Sequence, residues 1–522
     1  MTTPLFRAST HLTMLDVVVT DKNGNPVPGL RLEDFNLKED RKGQTITGLT
    51  PPSATRAQAA PPALSPNVYS NAPAYRLSGT TPTVIVLDAA NTSSPDQFYA
   101  RREMLAYVKQ QYKPGQRMAV LTLTDRLNVV QDFTGDPNLL LASLEKVQPS
   151  SPTVSQLANE PSIGGMQVTN PQGYVNLVSV LNTFQQAQTQ YVADRRAEIT
   201  LEALRRIVSM LGGLPGRKNV IWLTAGFPFA LNPVYEGLPE DWRDLPTHSL
   251  GVRPKPGNAT SLTPDQQLLY SGRIREISAR LASTQIAIYP VDVRGLSTGR
   301  TSNIIDQQQT MQEIARETGG RAFFNRNDLD NSVVLAERDR AATYTLAYYP
   351  ANKKWDGKYR SISVKIARQG VESAYRRGYF AVDAMRTSEA RRDEALAESF
   401  QDGAPDTLVT FQARVLPNGP GTARVEFLVD ANALSVEDDA VGKKFDAGFY
   451  VAGCSSDGRV LKVEQADFNK SLSPDVYQKM VREGMRLHLD VPIAPGSDNL
   501  RLAVRDNRTG YVGTLTAAIP TN

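Results

Sequence analysis

Short apolar runs that alternate with helix-like segments dominate the middle of the chain. Each run is apolar at successive positions, which is typical of strands buried on both faces of a parallel sheet. Strands that alternate with helices in this way predict a doubly wound α/β domain of about six strands over residues 83–341. Three of these runs are Thr83–Leu87, Lys218–Thr224 and Gln285–Val293.

Local signals refine this α/β domain. Ser94-Pro95-Asp96-Gln97 predicts a helix start, with a capping box and proline at the first helical position. A second helical pattern occupies roughly residues 177–211. Arg117–Leu123 and Asn128–Phe133 predict two strands joined by a tight turn, and Arg321–Phe324 is predicted as the last strand.

Apolar and polar residues alternate with period two on both sides of this domain, which is the pattern of half-exposed strands. Because isolated hairpins are marginally stable, we hypothesise that the strands at 11–50 and 343–381 pair into one β-sandwich. The predicted division is an N-terminal β-hairpin segment (1–50), a Pro/Ala/Ser-rich linker (51–82), the α/β domain (83–341), β strands (342–384), a charged, helix-prone linker (385–405) and a C-terminal β-sandwich (406–522).

Composition and charge exclude several classes of function. The 522 residues carry a net charge of +4 without a run of Lys and Arg, so nothing indicates nucleic acid or an anionic membrane. No apolar stretch is long enough to span a bilayer. The single cysteine, Cys454, excludes a disulfide framework. The first ten residues lack a signal pattern, so we expect a cytosolic protein or a mature form whose leader has been removed.

Enzyme motifs are weak. The 3 histidines are too far apart in sequence to predict a His-based metal centre, and no Gly-rich phosphate loop with lysine occurs. Gly295-Leu-Ser297-Thr-Gly299 matches a nucleophile elbow by letter, but the only later histidine is His488 in the far β region. We therefore predict a non-enzymatic protein and keep a hydrolase with an unrecognised site as a remote alternative.

Several segments, in this order, resemble von Willebrand factor type A-related bacterial proteins. They are the Asp88 loop, KNVIWLT at 218–224, IAIYPVDVRGL at 286–296 and TGGRAFF at 318–324, flanked by DVVVTDKNGNPVPGLRLEDF and YTLAYYP. The resemblance covers about residues 11–381. It implies an α/β Rossmann-like von Willebrand factor type A domain with flanking β-sandwich domains, and a secreted, periplasmic or cell-envelope location.

The resemblance also implies a metal-ion-dependent adhesion site, here degenerate. The family pattern places Asp-x-Ser-x-Ser after the first strand and an Asp after the fourth, whereas this chain has Asp88, Ala90 and Thr92, then Ala225. Asp88, Thr92 and Asp292 are the candidate metal ligands, for Mg²⁺ or another divalent cation, the one candidate cofactor. In the alternative interpretation Asp88 caps the following helix and Asp292 pairs with Arg294.

A protein ligand is the expected partner, recognised in an adhesion-type manner through the top face of the type A domain. Asn91 and Thr224 are candidate ligand-binding residues on that face. Two long insertions, at 148–176 and 227–262, are expected to border it, and the second supplies the candidate anchors Tyr235 and Trp242. The alternative is a scaffold in which the β domains mediate assembly. Ligand identity and oligomeric state stay open.

Overall fold

The structure is a computed structural model that describes most of the chain. The described residues are 12–52, 63–77, 82–113, 115–150, 171–229, 264–296, 302–383, 388–401, 404–440 and 442–520.

Strands and helices are numbered here in chain order. The first ten strands are β1 (Thr13–Asp21), β2 (Phe35–Glu39), β3 (Lys42–Gly43), β4 (Ile46–Thr50), β5 (Val68–Ser70), β6 (Pro82–Asp88), β7 (Arg117–Leu123), β8 (Leu127–Thr134), β9 (Lys218–Thr224) and β10 (Ile286–Asp292). The later strands are β11 (Thr343–Tyr348), β12 (Tyr359–Ile366), β13 (Val371–Tyr375), β14 (Gly378–Phe380), β15 (Phe411–Pro417), β16 (Thr422–Val429), β17 (Glu437–Asp438), β18 (Lys443–Cys454), β19 (Val460–Leu472), β20 (Met485–Pro492), β21 (Asn499–Asp506) and β22 (Val512–Ala518). The α-helices are α1 (Pro73–Leu77), α2 (Ser94–Gln110), α3 (Pro137–Lys146), α4 (Pro171–Leu211), α5 (Pro264–Ser283), α6 (Ser302–Thr318), α7 (Leu329–Ala341), α8 (Glu389–Gln401) and α9 (Pro474–Glu483).

The protein has a mixed α/β fold with several sheets, as the sequence predicted. The central sheet has the order β10-β9-β6-β7-β8, in which the first four strands are parallel and β8 is an antiparallel edge. Helices α2, α3 and α7 cover one face of it, and α4, α5 and α6 cover the other. Alternate residues of β6, β9 and β10 therefore belong to two different hydrophobic cores.

The expectation of about six strands is wrong for this sheet, which has five in the described residues. Arg321–Phe324 was predicted as the last strand, but only Phe323 bridges to Val291 of β10. The chain then leaves the sheet at Asn325, whose φ of 56° is incompatible with a continued strand.

The helices that flank β6 and β9 lie on opposite faces of the sheet. The chain leaves β6 into α2 on one face and enters β9 from α4 on the other. In open α/β sheets, ligands bind outside the carboxyl ends of the strands at such a switch point. We call residues 88–93, 225–229 and 293–296, which follow the carboxyl ends of β6, β9 and β10, the upper edge.

Two further pairs of sheets flank this domain. Sheets β13-β1-β11-β4 and β14-β12-β2-β3 enclose one core, in which β1 pairs antiparallel with β11 from Thr13↔Tyr348 to Val18↔Thr343. Sheets β20-β16-β15-β5 and β17-β18-β21-β22 enclose a second core, and β19 pairs with β18. Strand β5 comes from the segment 51–82 that the sequence analysis assigned to a linker.

Candidate functional site

Three of the predicted site residues end adjacent parallel strands. Asp88 ends β6, Thr224 ends β9 and Asp292 ends β10. Thr224 is in register with Asp292, and Leu87 is in register with Leu223. The three side chains therefore lie at the same level on the face of the sheet that α4, α5 and α6 cover, because residues two apart on a strand share a face.

Asp88 is buried and bonded to protein donors on both oxygens. It is 2% exposed. Its Oδ2 accepts hydrogen bonds from Trp222 Nε1 at 2.9 Å and from Asn91 Nδ2 at 2.9 Å, and its Oδ1 accepts one from the Asn91 backbone N–H at 3.0 Å. Burial raises the pKa of this carboxyl, against the opposing effect of the Trp222 and Asn91 bonds.

Asn91 links Asp88 to helix α4. Its Nδ2 also contacts Thr200 Oγ1 at 3.1 Å, and that hydroxyl donates to the backbone oxygen of Arg196 at 2.8 Å. Burial lowers the pKa of Arg196, and the charge of Asp88 opposes this effect. Arg196 belongs to the same helix as Thr200, and its charge interacts with that of Asp88.

Thr92 and Thr224 hold the turn that follows β9. Thr92 Oγ1 accepts from the backbone N–H of Ala225 at 3.1 Å. Thr224 Oγ1 donates to the Gly226 oxygen at 2.9 Å, and the Gly226 N–H lies 3.1 Å from the same hydroxyl. Both side chains are buried. Thr92 therefore joins the β6 loop to the β9 loop, and Thr224 closes the turn within the β9 loop.

Asp292 forms an ion pair with Arg294, the pairing that the alternative interpretation expected. Asp292 Oδ1 accepts from Arg294 Nε at 2.8 Å, and Oδ2 accepts from Arg294 Nη2 at 2.8 Å and from Gln308 Nε2 at 3.1 Å. The Asp292 side chain is 1% exposed and that of Arg294 is 16% exposed. A two-point guanidinium contact of this kind leaves the carboxylate oxygens with little capacity to accept further hydrogen bonds or to bind a cation.

The other half of that alternative is wrong, because Asp88 does not cap α2. The N-cap of α2 is Ser93, one residue before the predicted Ser94, and its hydroxyl donates to Asp96 Oδ2 at 2.6 Å. Asp88 lies too early in the chain for that role, since the turn at 89–92 separates it from the helix.

The donor set does not fit a hard divalent cation. Mg²⁺ requires several oxygen ligands in near-octahedral geometry. Here Asp88 is bonded by Trp222 and Asn91, Asp292 is bonded by Arg294, and Thr92 accepts from a backbone N–H. Within the described residues, no group of three or more His, Cys, Asp or Glu could hold a metal. A cation at either carboxylate would have to displace a protein donor.

Two predicted ligand-binding residues lie outside the described part of the chain. Tyr235 and Trp242 belong to the segment 230–263, so their role stays a prediction. Sequence reasoning missed Trp222, Thr200 and Arg196 as parts of the Asp88 cluster. The spacing of Trp222 and Thr224 indicates that they share a face of β9, but the contact with Asp88 depends on the register between strands.

Comparisons with known proteins give weak likenesses only. No protein-family model matches the chain, and a search of curated proteins returns no match. The PilB minor pilin from Streptococcus sanguinis is 12% identical with a TM-score of 0.27, covering 50% of this chain and 61% of the pilin. A von Willebrand factor type A protein from Catenulispora acidiphila is 10% identical with a TM-score of 0.23, covering 99% of this chain and 76% of that protein.

Proximal thread matrix protein 1 from the mussel byssus, in a structure with a zinc-occupied MIDAS motif, is 14% identical with a TM-score of 0.23. This chain spans 48% of that protein, which in turn covers 52% of this chain. At TM-scores this low, none of these likenesses carries an argument about fold or function. Among the described helices, none is long and apolar enough to cross a membrane.

Proposed function

We propose that this chain is a non-enzymatic protein that binds a protein ligand through the upper edge of a type A-like domain without a metal ion. The proposal includes a Rossmann-like type A core flanked by β-sandwich domains, with the division of the chain given above. A location at the cell envelope belongs to the same proposal and rests on the sequence resemblance alone.

The observation that carries this proposal is that protein donors occupy both buried carboxylates. Asp292 is held by Arg294, and Asp88 is held by Trp222 and Asn91 with Arg196 nearby. A general base or nucleophile needs a lone pair directed at a reacting atom, and a metal needs open coordination positions. Neither requirement is met by these groups, whereas a rigid surface whose buried carboxylates are bonded internally is suited to binding.

Exposed apolar side chains border the same edge. Phe98, near the start of α2, is 57% exposed, Leu296 is 63% exposed and Ile305, in the first turn of α6, is 42% exposed. All three follow the carboxyl ends of β6 or β10. Large apolar side chains at a rim are effective anchors for a protein partner.

Helix α4 adds length to this surface. Its 41 residues correspond to about 60 Å, whereas a seven-residue strand such as β9 spans about 23 Å. Thr200, near the C-terminal end of the helix, already lies at the upper edge beside Asn91. The excess length therefore extends past this edge of the sheet.

Site-specific photo-crosslinking tests this proposal in the cells that produce the protein. A benzophenone amino acid is placed at Leu296 or Phe98, with Leu139 as the control. Leu139 is 48% exposed but lies at the start of α3, at the opposite edge of the sheet. We expect an adduct of defined mass at 296 and 98, unchanged by a chelator, and none at 139. Equal adducts at all three positions, or no adduct at any, would refute the proposal.

A second candidate function is assembly through the C-terminal β domain. Strand β19 is 13 residues long and pairs with β18, and no pairing on its other edge occurs in the part of the chain that the structure describes. Val460, Leu461 and Val463 on it are 40–44% exposed. Exposed edge strands are templates for pairing with another chain. Sedimentation velocity over a wide concentration range, with Val463→Pro as the disrupting variant, separates this candidate from a monomeric binding protein.

A further inference from the structure

A cavity of about 240 Å³ lies beside the upper edge, between α2 and the segment that follows α3. Its floor is formed by Leu87 and Leu223, which belong to the core under α2, α3 and α7. Ala100, Val130 and Val147 add to the apolar part of the lining, and Thr122 and Thr124 also contribute to it. Asp88 and Thr92, which belong to the candidate site described above, are also among its lining residues.

Hydrogen bonds from α2 hold the wall of the cavity in place. Gln97 Nε2 donates to the backbone oxygens of Thr92 at 2.8 Å and Ser150 at 2.9 Å, and its Oε1 accepts from the Ser150 N–H at 3.0 Å. Arg101 Nη1 donates to the Val147 oxygen at 2.8 Å. These bonds tie residues 147–150 to α2, so the cavity is preformed, which reduces the ordering cost of binding.

Polar and charged groups also line the cavity, among them residues of α2 and of the segment that ends α3 and follows it. Ser150 lines it, and its hydroxyl oxygen is buried without a hydrogen-bond partner among the described residues. A buried unsatisfied hydroxyl is unusual and indicates a missing partner. Arg101 and Lys146 also line the cavity. The guanidinium carries five N–H groups, so the bond to Val147 leaves donors for a ligand.

We propose that this cavity binds a small apolar carboxylic acid, with the apolar group inside and the carboxylate at Arg101, Lys146 and Ser150. An apolar cavity of about 150 Å³ accommodates benzene, so this one accommodates a branched aliphatic or phenyl group. Two cations and a hydroxyl complement a carboxylate. The same chemistry is offered by a free acid and by the C-terminal residue of a polypeptide. The site does not rest on the protein-ligand function proposed for the upper edge.

Calorimetric titration of the full chain with 4-methylpentanoate and its neutral isostere 4-methylpentanamide tests the site. The acid should bind more tightly than the amide. Arg101→Gln should weaken the acid about tenfold more than the amide, because both ligands lose the wall contact with Val147 but only the charged ligand loses an ion pair. Arg102→Gln is the matched control, since Arg102 is the next residue on α2 and its side chain is 71% exposed.

Ala100→Phe places a ring in the cavity and should abolish binding of both ligands, with its unfolding temperature measured to establish that it folds. Ser150→Ala, a smaller change, should weaken the acid without a loss of fold. A peptide ending in leucine that binds as well as the free acid, while its C-terminal amide does not, assigns the site to a polypeptide terminus; binding of the free acid alone assigns it to a small metabolite. The proposal is overturned if neither ligand binds, if acid and amide bind equally, or if Arg101→Gln and Arg102→Gln behave alike.

Discussion

Trp222 Nε1 donates a hydrogen bond of 2.9 Å to Oδ2 of Asp88, and both residues are buried beneath α4, α5 and α6. This bond makes the carboxylate part of the core structure. A buried carboxylate is stable only when donors replace the water it has lost. The indole of Trp222, together with Asn91, provides those donors, which is why we regard Asp88 as a positioned structural acceptor at the upper edge.

Replacement of Trp222 by Phe should lower the free energy of unfolding by about 1–3 kcal/mol through the lost hydrogen bond, in addition to the effect of the smaller side chain. Chemical denaturation measures this change. A double-mutant cycle with Asp88→Ala separates the two effects, because alanine offers no acceptor to the indole N–H and only the hydrogen bond depends on both residues. Strictly additive losses would show that the two side chains are not coupled.

Arg294→Gln should be strongly destabilising, by about 3–5 kcal/mol, because it leaves Asp292 buried and charged without a cation. Arg326→Gln is a matched control. Arg326 and Asp328 are also two residues apart and bonded through two contacts, but their side chains are 33% and 48% exposed. Removing that exposed pair should cost at most about 1 kcal/mol. Similar losses in the two variants, measured by urea unfolding, would contradict a buried role for the Asp292–Arg294 pair.

Stability should fall between neutral and alkaline pH because of a carboxyl pair between α4 and α8. Glu398 on α8 contacts Arg205 of α4 and shares a hydrogen bond with Glu202, and Arg205 Nη1 also lies 3.3 Å from Glu394. Burial, followed by the bond with Glu202, raises the pKa of Glu398 to about 9. Glu202, Glu394 and Glu398 line a groove between α4 and α8. The other charged residues that line it are Asp125, Arg126, Arg195, Glu198, Arg206 and Arg273.

The direction of the change in stability with pH follows from proton linkage. A carboxyl whose pKa is raised on folding holds a proton that the unfolded chain has released. Its contribution is fully present below the ordinary pKa of 4.5 and is lost as the pH rises through about 9. Glu398→Gln imitates the protonated form, so its stability should decline less between pH 7 and 9.5 than that of the native chain. Glu394→Gln, on the more exposed neighbour, serves as the control and should keep the native slope.

The parallel strands of the central sheet could be predicted because burial on both faces leaves a continuous apolar run. Lys218–Thr224 was predicted with the bounds that the structure has. Helix α7 was missed although its buried Leu329, Val333 and Ala336 follow the helical spacing i, i+4 and i+7. The three-residue β5 was missed because its partner, β15, lies more than 300 residues later.

The candidate site was predictable in position and less so in chemistry. The ends of β6, β9 and β10 are readable from the sequence, and so is the absence of a hydroxyl at Ala90 and of a carboxylate at Ala225. The contacts of Asp88 with Trp222, and of Asn91 with Thr200, depend on strand register and on the position of α4. These are tertiary properties without a local sequence signal.

The most direct test of a metal-free upper edge is thermal unfolding of the native chain with Mg²⁺, Mn²⁺, Ca²⁺ or a chelator, beside Asp88→Ala. Specific binding at about 100 times the dissociation constant would add roughly 2.7 kcal/mol to the native state. We predict the same unfolding temperature for the native chain under all four conditions. A rise with one cation that Asp88→Ala abolishes would contradict the account and would establish a rebuilt metal site at Asp88.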